Sequence, residues 1–175
     1  MFESCRAHFA LLRQDRVAVA DEHLDEKHVD AACAWLNVEN GVLHRVAEED
    51  FGLDESTLAR DMHERAKVFL VDGLGDEGEA IYRRFSGGDL PEGASEAEVA
   101  ETMRETFGKP SFELGCYLAA CKWSLEAILR GAGAGEATLE KVQSDASARL
   151  TGVIGDDRTA RARALTEEFL AALRS

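Results

Sequence analysis

The most apolar stretch of the chain, residues 112–130, reads FELGCYLAACKWSLEAILR. Before its final arginine it contains only three charged residues, Glu113, Lys122 and Glu126. A helix that is apolar around most of its circumference is typical of a protein interior. Ser111 precedes the stretch and can cap a helix, whereas a glycine follows it. We therefore expect residues 112–130 to form the central helix of a helical bundle.

Amphipathic helical patterns lie on both sides of this stretch. Apolar residues recur at three- and four-residue steps, and no period-two pattern extends beyond a few residues. Ser95 and Glu98 have the spacing of a capping box, and Asn40-Gly41 is a typical helix end. The sequence predicts an all-α bundle of about seven to nine helices without significant β-sheet. The helices are expected at about residues 2–19, 21–40, 42–50, 54–73, 80–85, 96–107, 112–130, 136–154 and 158–173.

Length and charge restrict the organisation and the location of the protein. We expect one helical domain over residues 1–175, with the glycine-rich loop 86–94 as a candidate subdomain boundary. The chain carries 34 acidic and 20 basic residues, a formal net charge of -14, which repels phosphate backbones and anionic membranes. No signal peptide and no apolar run of roughly 18 residues is recognisable. The scattered cysteines lack metal-finger or redox spacing, so we expect a cytoplasmic protein with buried thiols.

Residues 42–67 resemble the helix-turn-helix of bacterial regulators. A helix containing Val46-Ala47 precedes the turn Phe51-Gly52-Leu53, and a second helix follows. This second helix is similar to the recognition helix of sigma-factor region four, although the turn is one residue longer than usual in that family. Such a helix enters the major groove with its early residues at base edges. The resemblance implies DNA contacts by Glu55, Ser56, Ala59 and Arg60, and two bundle helices meeting at a glycine turn are the alternative.

The histidines, which all lie within the first 63 residues, offer a metal site as another alternative. Asp25 and His28 are three residues apart and His44 and Glu48 are four apart, so each pair can share a helical face. Helical bundles hold di-iron centres with such side chains projecting inward from facing helices. These four residues are the candidate ligands, and solvated histidines among many carboxylates are the competing interpretation.

Two glycine-containing patterns are also candidate ligand sites. Residues 73–78 satisfy G-x-G-x-x-G, but the preceding pattern is helical, so a connection between helices explains them better than a dinucleotide site. On the central helix, Gly115, Tyr117 and Trp123, together with Ala119 and Ala120, offer the wall of a small-molecule pocket. Plain core packing explains the same residues and is the favoured interpretation.

These patterns favour a non-enzymatic cytosolic helical protein that acts by binding a protein partner or by self-association. No nucleophile or cofactor motif is recognisable, so no catalytic residue and no cofactor is assigned. Acidic surfaces favour basic partners. The first alternative is a small helix-turn-helix transcriptional regulator that uses residues 42–67 and has a helical part for dimerisation or ligand sensing. The second is a helical-bundle metal-binding protein with histidine and carboxylate ligands.

Overall fold

The computed structural model describes residues 26–88 and 90–174, with side chains described from residue 29 to residue 173 apart from residue 89. This part of the chain contains seven α-helices and no strand, which confirms the predicted all-α bundle. The helix predicted over residues 2–19 lies outside the described residues. The helices are α1 (Glu26–Glu49), α2 (Glu55–Leu74), α3 (Asp76–Ser86), α4 (Glu96–Gly108), α5 (Phe112–Gly131), α6 (Glu136–Ile154) and α7 (Asp156–Arg174).

Helix α5 lies at the centre of the bundle, as its apolar sequence predicts. Every residue from Leu114 to Leu125 is buried, including the one lysine of this helix. Helices α1 and α2 both pack on α5, α6 and α7 pack on α1, and α3 lies against α2. Because neighbours cover α5 along most of its length, its low charge content is a direct consequence of burial.

The predicted capping residues begin the expected helices. Ser111 Oγ accepts a hydrogen bond from the Leu114 amide at 3.0 Å and starts α5. Ser95 Oγ accepts from the Glu98 amide at 3.2 Å, while Glu98 Oε2 accepts from the Ser95 amide at 2.8 Å. This reciprocal capping box satisfies two amides that would otherwise lack intrahelical partners. The local signals therefore give the starts of α4 and α5 correctly.

The predicted helix end at Asn40-Gly41 is wrong, because α1 continues through both residues to Glu49. Asn40 is buried, and its Nδ2 donates to the Leu118 carbonyl at 3.1 Å. Val42 and Leu43 beyond the glycine are fully buried. A glycine inside a helix costs about 1 kcal/mol relative to alanine. Burial of the residues around it outweighs that cost and keeps the helix continuous.

Helix α4 is the least buried element of the described bundle. None of its residues is buried, and it packs mainly on α3. Phe107 anchors its end through edge contacts with the rings of Phe85 and Tyr117, at centroid distances of 5.6 and 6.0 Å. The subdomain boundary expected at residues 86–94 stays a prediction. Among the described helices, none combines the length and the apolar character needed to cross a membrane.

Candidate site: a buried charge cluster and its cavity

The C-terminal half of α5 carries a cluster of buried charged side chains. Glu39 of α1 is 1% exposed, and its carboxylate faces Lys122 of α5. Lys122 Nζ donates to Glu39 Oε1 at 2.7 Å and also to Glu126 Oε1. Trp35 Nε1 donates to Glu39 Oε2 at 2.7 Å, and Gln143 Nε2 of α6 donates to Glu39 Oε1. A carboxylate this deeply buried is stable only with such partners.

The two carboxylates hold Lys122 in its charged form. Burial by itself lowers the pKa of a lysine, because it penalises the ammonium ion. Here the nearby charges and hydrogen bonds of Glu39 and Glu126 outweigh burial and keep the Lys122 pKa above its usual value. A lysine acts as a nucleophile only when it is neutral. Lys122 is therefore placed to bind and orient charge rather than to attack a substrate.

The cluster forms one wall of a cavity of about 330 Å³ between α1, α5, α6 and α7. Both tryptophans of the chain, Trp35 and Trp123, line it. Arg163 of α7 stands at its edge, with the guanidinium carbon 5.7 Å from the centre of the Trp35 ring and Nε 3.5 Å from Glu167. A second cavity of about 230 Å³ shares the Glu39–Lys122 pair. Polar and aromatic groups therefore meet at one opening in the bundle.

A groove of about 400 Å³ lies elsewhere, between α1 and α7. Its floor consists mainly of small and aliphatic side chains, and arginines stand at its edge although the chain as a whole is acidic. Ile154 at the end of α6 contributes to it, and the preceding Val153 is 82% exposed. The lining residues are Asp30, Ala31, Ala34, Ile154, Arg158, Arg161, Ala162 and Leu165.

The thiols of Cys33 and Cys121 are held in the protonated state. Burial raises the pKa of Cys33 to about 11 and that of Cys121 to about 12. Cys116 is also buried, and none of these three cysteines forms a disulfide. Because only the thiolate is a strong nucleophile and metal ligand, these cysteines act as small apolar core residues. This agrees with the interpretation of these three cysteines as buried thiols, whereas Cys5 lies outside the described residues.

The structure tests only part of the predicted metal site. Asp25 lies outside the described residues, as does the side chain of His28, while His44 and Glu48 lie one turn apart on α1. Burial lowers the pKa of His44, an effect that Glu48 partly opposes. Within the described residues, no group of three or more histidine, cysteine or acidic side chains could hold a metal ion. The four-residue site stays a prediction.

The residues implied in DNA contact lie at the start of α2. Glu55, Ser56 and Arg60 are exposed, and Ala59 is half-buried. Arg60 Nε lies 3.5 Å from a carboxylate oxygen of Asp61. Helices α1 and α2 have 24 and 20 residues and both pack on α5. The four residues therefore lie together at one end of α2, and DNA binding by them stays a prediction.

The glycines of the two ligand-like patterns serve helix packing. A Cβ on Gly78 would lie 1.8 Å from the Leu70 carbonyl oxygen, so this glycine lets α3 fold tightly against α2. A Cβ on Gly115 would lie 2.9 Å from Phe169 Cζ, so α5 and α7 meet closely there. Tyr117 stacks on Phe85 at a centroid distance of 5.4 Å. Among the residues of the candidate pocket on α5, Trp123 lines the polar cavity.

The sequence interpretation missed Glu39, Gln143 and Arg163. Glu39 and Lys122 are 83 residues apart, and Gln143 and Glu39 are 104 apart, so no local pattern joins them. The available signal was a charged residue inside the most apolar helix. A lysine buried by its neighbours requires a buried counter-ion.

Fold and site together define an all-α protein with an ion cluster at a cavity between helices. Neither the known protein families, nor the curated proteins, nor the solved structures contain a match to this chain. The function is therefore argued from the chain's own residues.

Proposed function

We propose that the protein is a non-enzymatic cytoplasmic binding protein that self-associates through the groove between α1 and α7. The observation that carries this proposal is an apolar groove edged by Arg158 and Arg161 in a chain of net charge -14. Amphipathic helices commonly bind in such grooves through their apolar face. Arginines at the edge select an occupant that carries acidic residues beside that face.

Helix α4 of a second copy has the required chemistry. Val99, Met103 and Phe107 form the apolar face of this helix. In its own bundle Phe107 packs on Phe85, while Met103 lies beside Gly87. Because α4 contributes no buried residue and packs mainly on α3, the proposed self-association requires this apolar face to detach from its own bundle and enter the groove of the second copy. Its exposed glutamates are Glu96, Glu98, Glu101 and Glu105.

The reactive groups of the described residues support binding rather than catalysis. Burial keeps the Cys33 and Cys121 thiols protonated, and Glu39 with Glu126 keeps Lys122 charged. Protonated thiols and ammonium ions are weak nucleophiles. A reducing cytoplasm is also the compartment in which buried free thiols persist.

Sedimentation velocity over a range of protein concentrations tests the proposal, at physiological salt where charges beyond about 8 Å are screened. We expect the weight-average mass to rise with concentration. The double variant Arg158→Glu/Arg161→Glu should remain monomeric, because glutamates then face the glutamates of α4. The matched control Arg60→Glu/Arg65→Glu makes the same charge change at exposed positions of α2 and should associate like the wild type.

Charge reversal on the other side provides a specific rescue. Combining Arg158→Glu/Arg161→Glu with Glu101→Arg/Glu105→Arg re-creates opposite charges across the proposed contact, so association should return. A wild-type protein that stays monomeric at every concentration would contradict self-association. Association that the groove variant leaves unchanged would contradict the groove as its site.

A further inference from the structure

The polar cavity has an excess of negative charge. The carboxylates of Glu39, Glu126 and Glu167 line it, against the cations of Lys122 and Arg163. Lys122 is shared between Glu39 and Glu126, so one ammonium group neutralises only part of two carboxylates. The net charge of the whole chain, -14, adds to the negative potential. An entering cation is therefore favoured over an anion.

At this opening, the side chain of Arg163 makes the contacts that we expect a bound cation to make. Its guanidinium lies over the face of Trp35, with the two centres 5.7 Å apart, and its Nε is 3.5 Å from the Glu167 carboxylate. An aromatic face next to a carboxylate is the combination that binds ammonium and guanidinium groups. The Arg163 side chain is 44% exposed, so a soluble cation can compete with it for the same groups.

We propose that this cavity binds a small organic cation, whose ammonium or guanidinium group lies between the Trp35 ring and the carboxylates of Glu126 and Glu167. The cavity volume of about 330 Å³ suits a compact ligand, since ligand pockets range from about 300 to 1,000 Å³. Trp123 and Leu170 supply apolar wall for the carbon skeleton. Gln143 and Thr166 supply neutral polar groups at the same opening.

Intrinsic tryptophan fluorescence reports on this cavity, because both tryptophans of the chain line it. The probes are tetramethylammonium, putrescine and arginine methyl ester, titrated into the full chain, with acetate and glutarate as anionic controls. We expect saturable fluorescence changes with the cations and none with the anions. Isothermal titration calorimetry of the same pairs checks that the optical change is binding.

Two substitutions give opposite expected effects. Glu126→Gln removes a carboxylate at the opening and should weaken cation binding by about tenfold, the equivalent of one charge-assisted hydrogen bond. Arg163→Gln removes the competing guanidinium and a like charge, so it should tighten cation binding several-fold. Glu101→Gln makes the same change as Glu126→Gln on exposed α4 and should leave the affinity unchanged. Thermal unfolding of each variant verifies that it is folded.

Tighter binding after Arg163→Gln supports the proposal, because a purely structural arginine gives no such gain. Weaker cation binding in that variant, or binding of acetate or glutarate instead, would overturn it. Absence of binding by all three cations at ligand concentrations on the order of 10 mM would overturn it as well. A complex that does not form there has a binding free energy weaker than about 3 kcal/mol. Groove variants at Arg158 and Arg161 should leave the titrations unchanged, so this result is independent of self-association.

Discussion

The two halves of α5 are both largely buried, but different interactions stabilise them. The N-terminal half, residues 112–120, packs with small and aromatic residues, and Gly115 admits the ring of Phe169 to close contact. The C-terminal half buries Lys122 against Glu39 and leaves a cavity of about 330 Å³ beside the pair. Close packing stabilises the N-terminal half, and an ion pair stabilises the C-terminal half.

This difference bears on the proposed cation site. Buried ion pairs are often no more stable than well-packed apolar residues of similar volume. Stability alone therefore does not account for Lys122 and Glu39 in the middle of a helical core. A cavity with paired charges and two tryptophans is what a ligand site requires. The apolar half holds the bundle together, and the charged half lines the cavity in which we propose that a cation binds.

The largest expected effect follows from breaking the ion cluster. Lys122→Met leaves the Glu39 carboxylate buried without its cation and should lower the free energy of unfolding by about 3–5 kcal/mol. Urea denaturation followed by circular dichroism measures this loss. The double variant Glu39→Met/Lys122→Met should regain most of it, because neither charge then remains. Equal losses in the single and double variants would show that apolar volume, rather than charge, sets the stability of this half.

A smaller loss of stability is expected from a substitution in the N-terminal half of α5. Gly115→Ala places a Cβ 2.9 Å from Phe169 Cζ, and Phe169 is fully buried. Because the ring has no free space to move into, overpacking should cost about 1–3 kcal/mol. The same denaturation experiment measures it. An unchanged unfolding midpoint would mean that α5 and α7 separate easily. Close packing would then not determine the stability of this half.

Gly41→Ala is the matched control, with a smaller effect of opposite sign. Gly41 lies inside α1, and a Cβ there would have no atom within 4 Å. Alanine should therefore stabilise the protein by about 0.5–1 kcal/mol through helix propensity. A higher melting temperature checks this expectation. Destabilisation would indicate that the helix is interrupted at this residue, as the Asn40-Gly41 signal in the sequence predicts.

The smallest expected effect is a loss of stability in mild acid. Burial lowers the pKa of His44 and of His63 below their usual 6.5. The unfolded chain therefore takes up protons first as the pH falls through 6.5, and stability decreases there. Melting temperatures at pH 7.5 and about pH 5.5 measure the decrease, which His44→Gln/His63→Gln should reduce. Lys122 stays charged throughout this range, so it contributes nothing to the difference.

The sequence predicts those features that depend on neighbouring residues. Helix α5, its Ser111 cap and the Ser95–Glu98 capping box follow from local composition and spacing. The continuity of α1 through Gly41 does not, because tertiary burial of the surrounding residues overrides the local helix-end signal. The Glu39–Lys122 pair joins residues 83 positions apart and becomes visible only in the folded chain.

Hydrogen–deuterium exchange at low and at high protein concentration tests most directly whether the protein acts by self-association through its α1–α7 groove. Self-association through this groove predicts slower amide exchange at high protein concentration in residues 30–34 of α1, 158–165 of α7 and 96–108 of α4. The Arg158→Glu/Arg161→Glu variant should show no such slowing. Exchange that is the same at both concentrations, or slowed only at the exposed face of α2, would contradict the account.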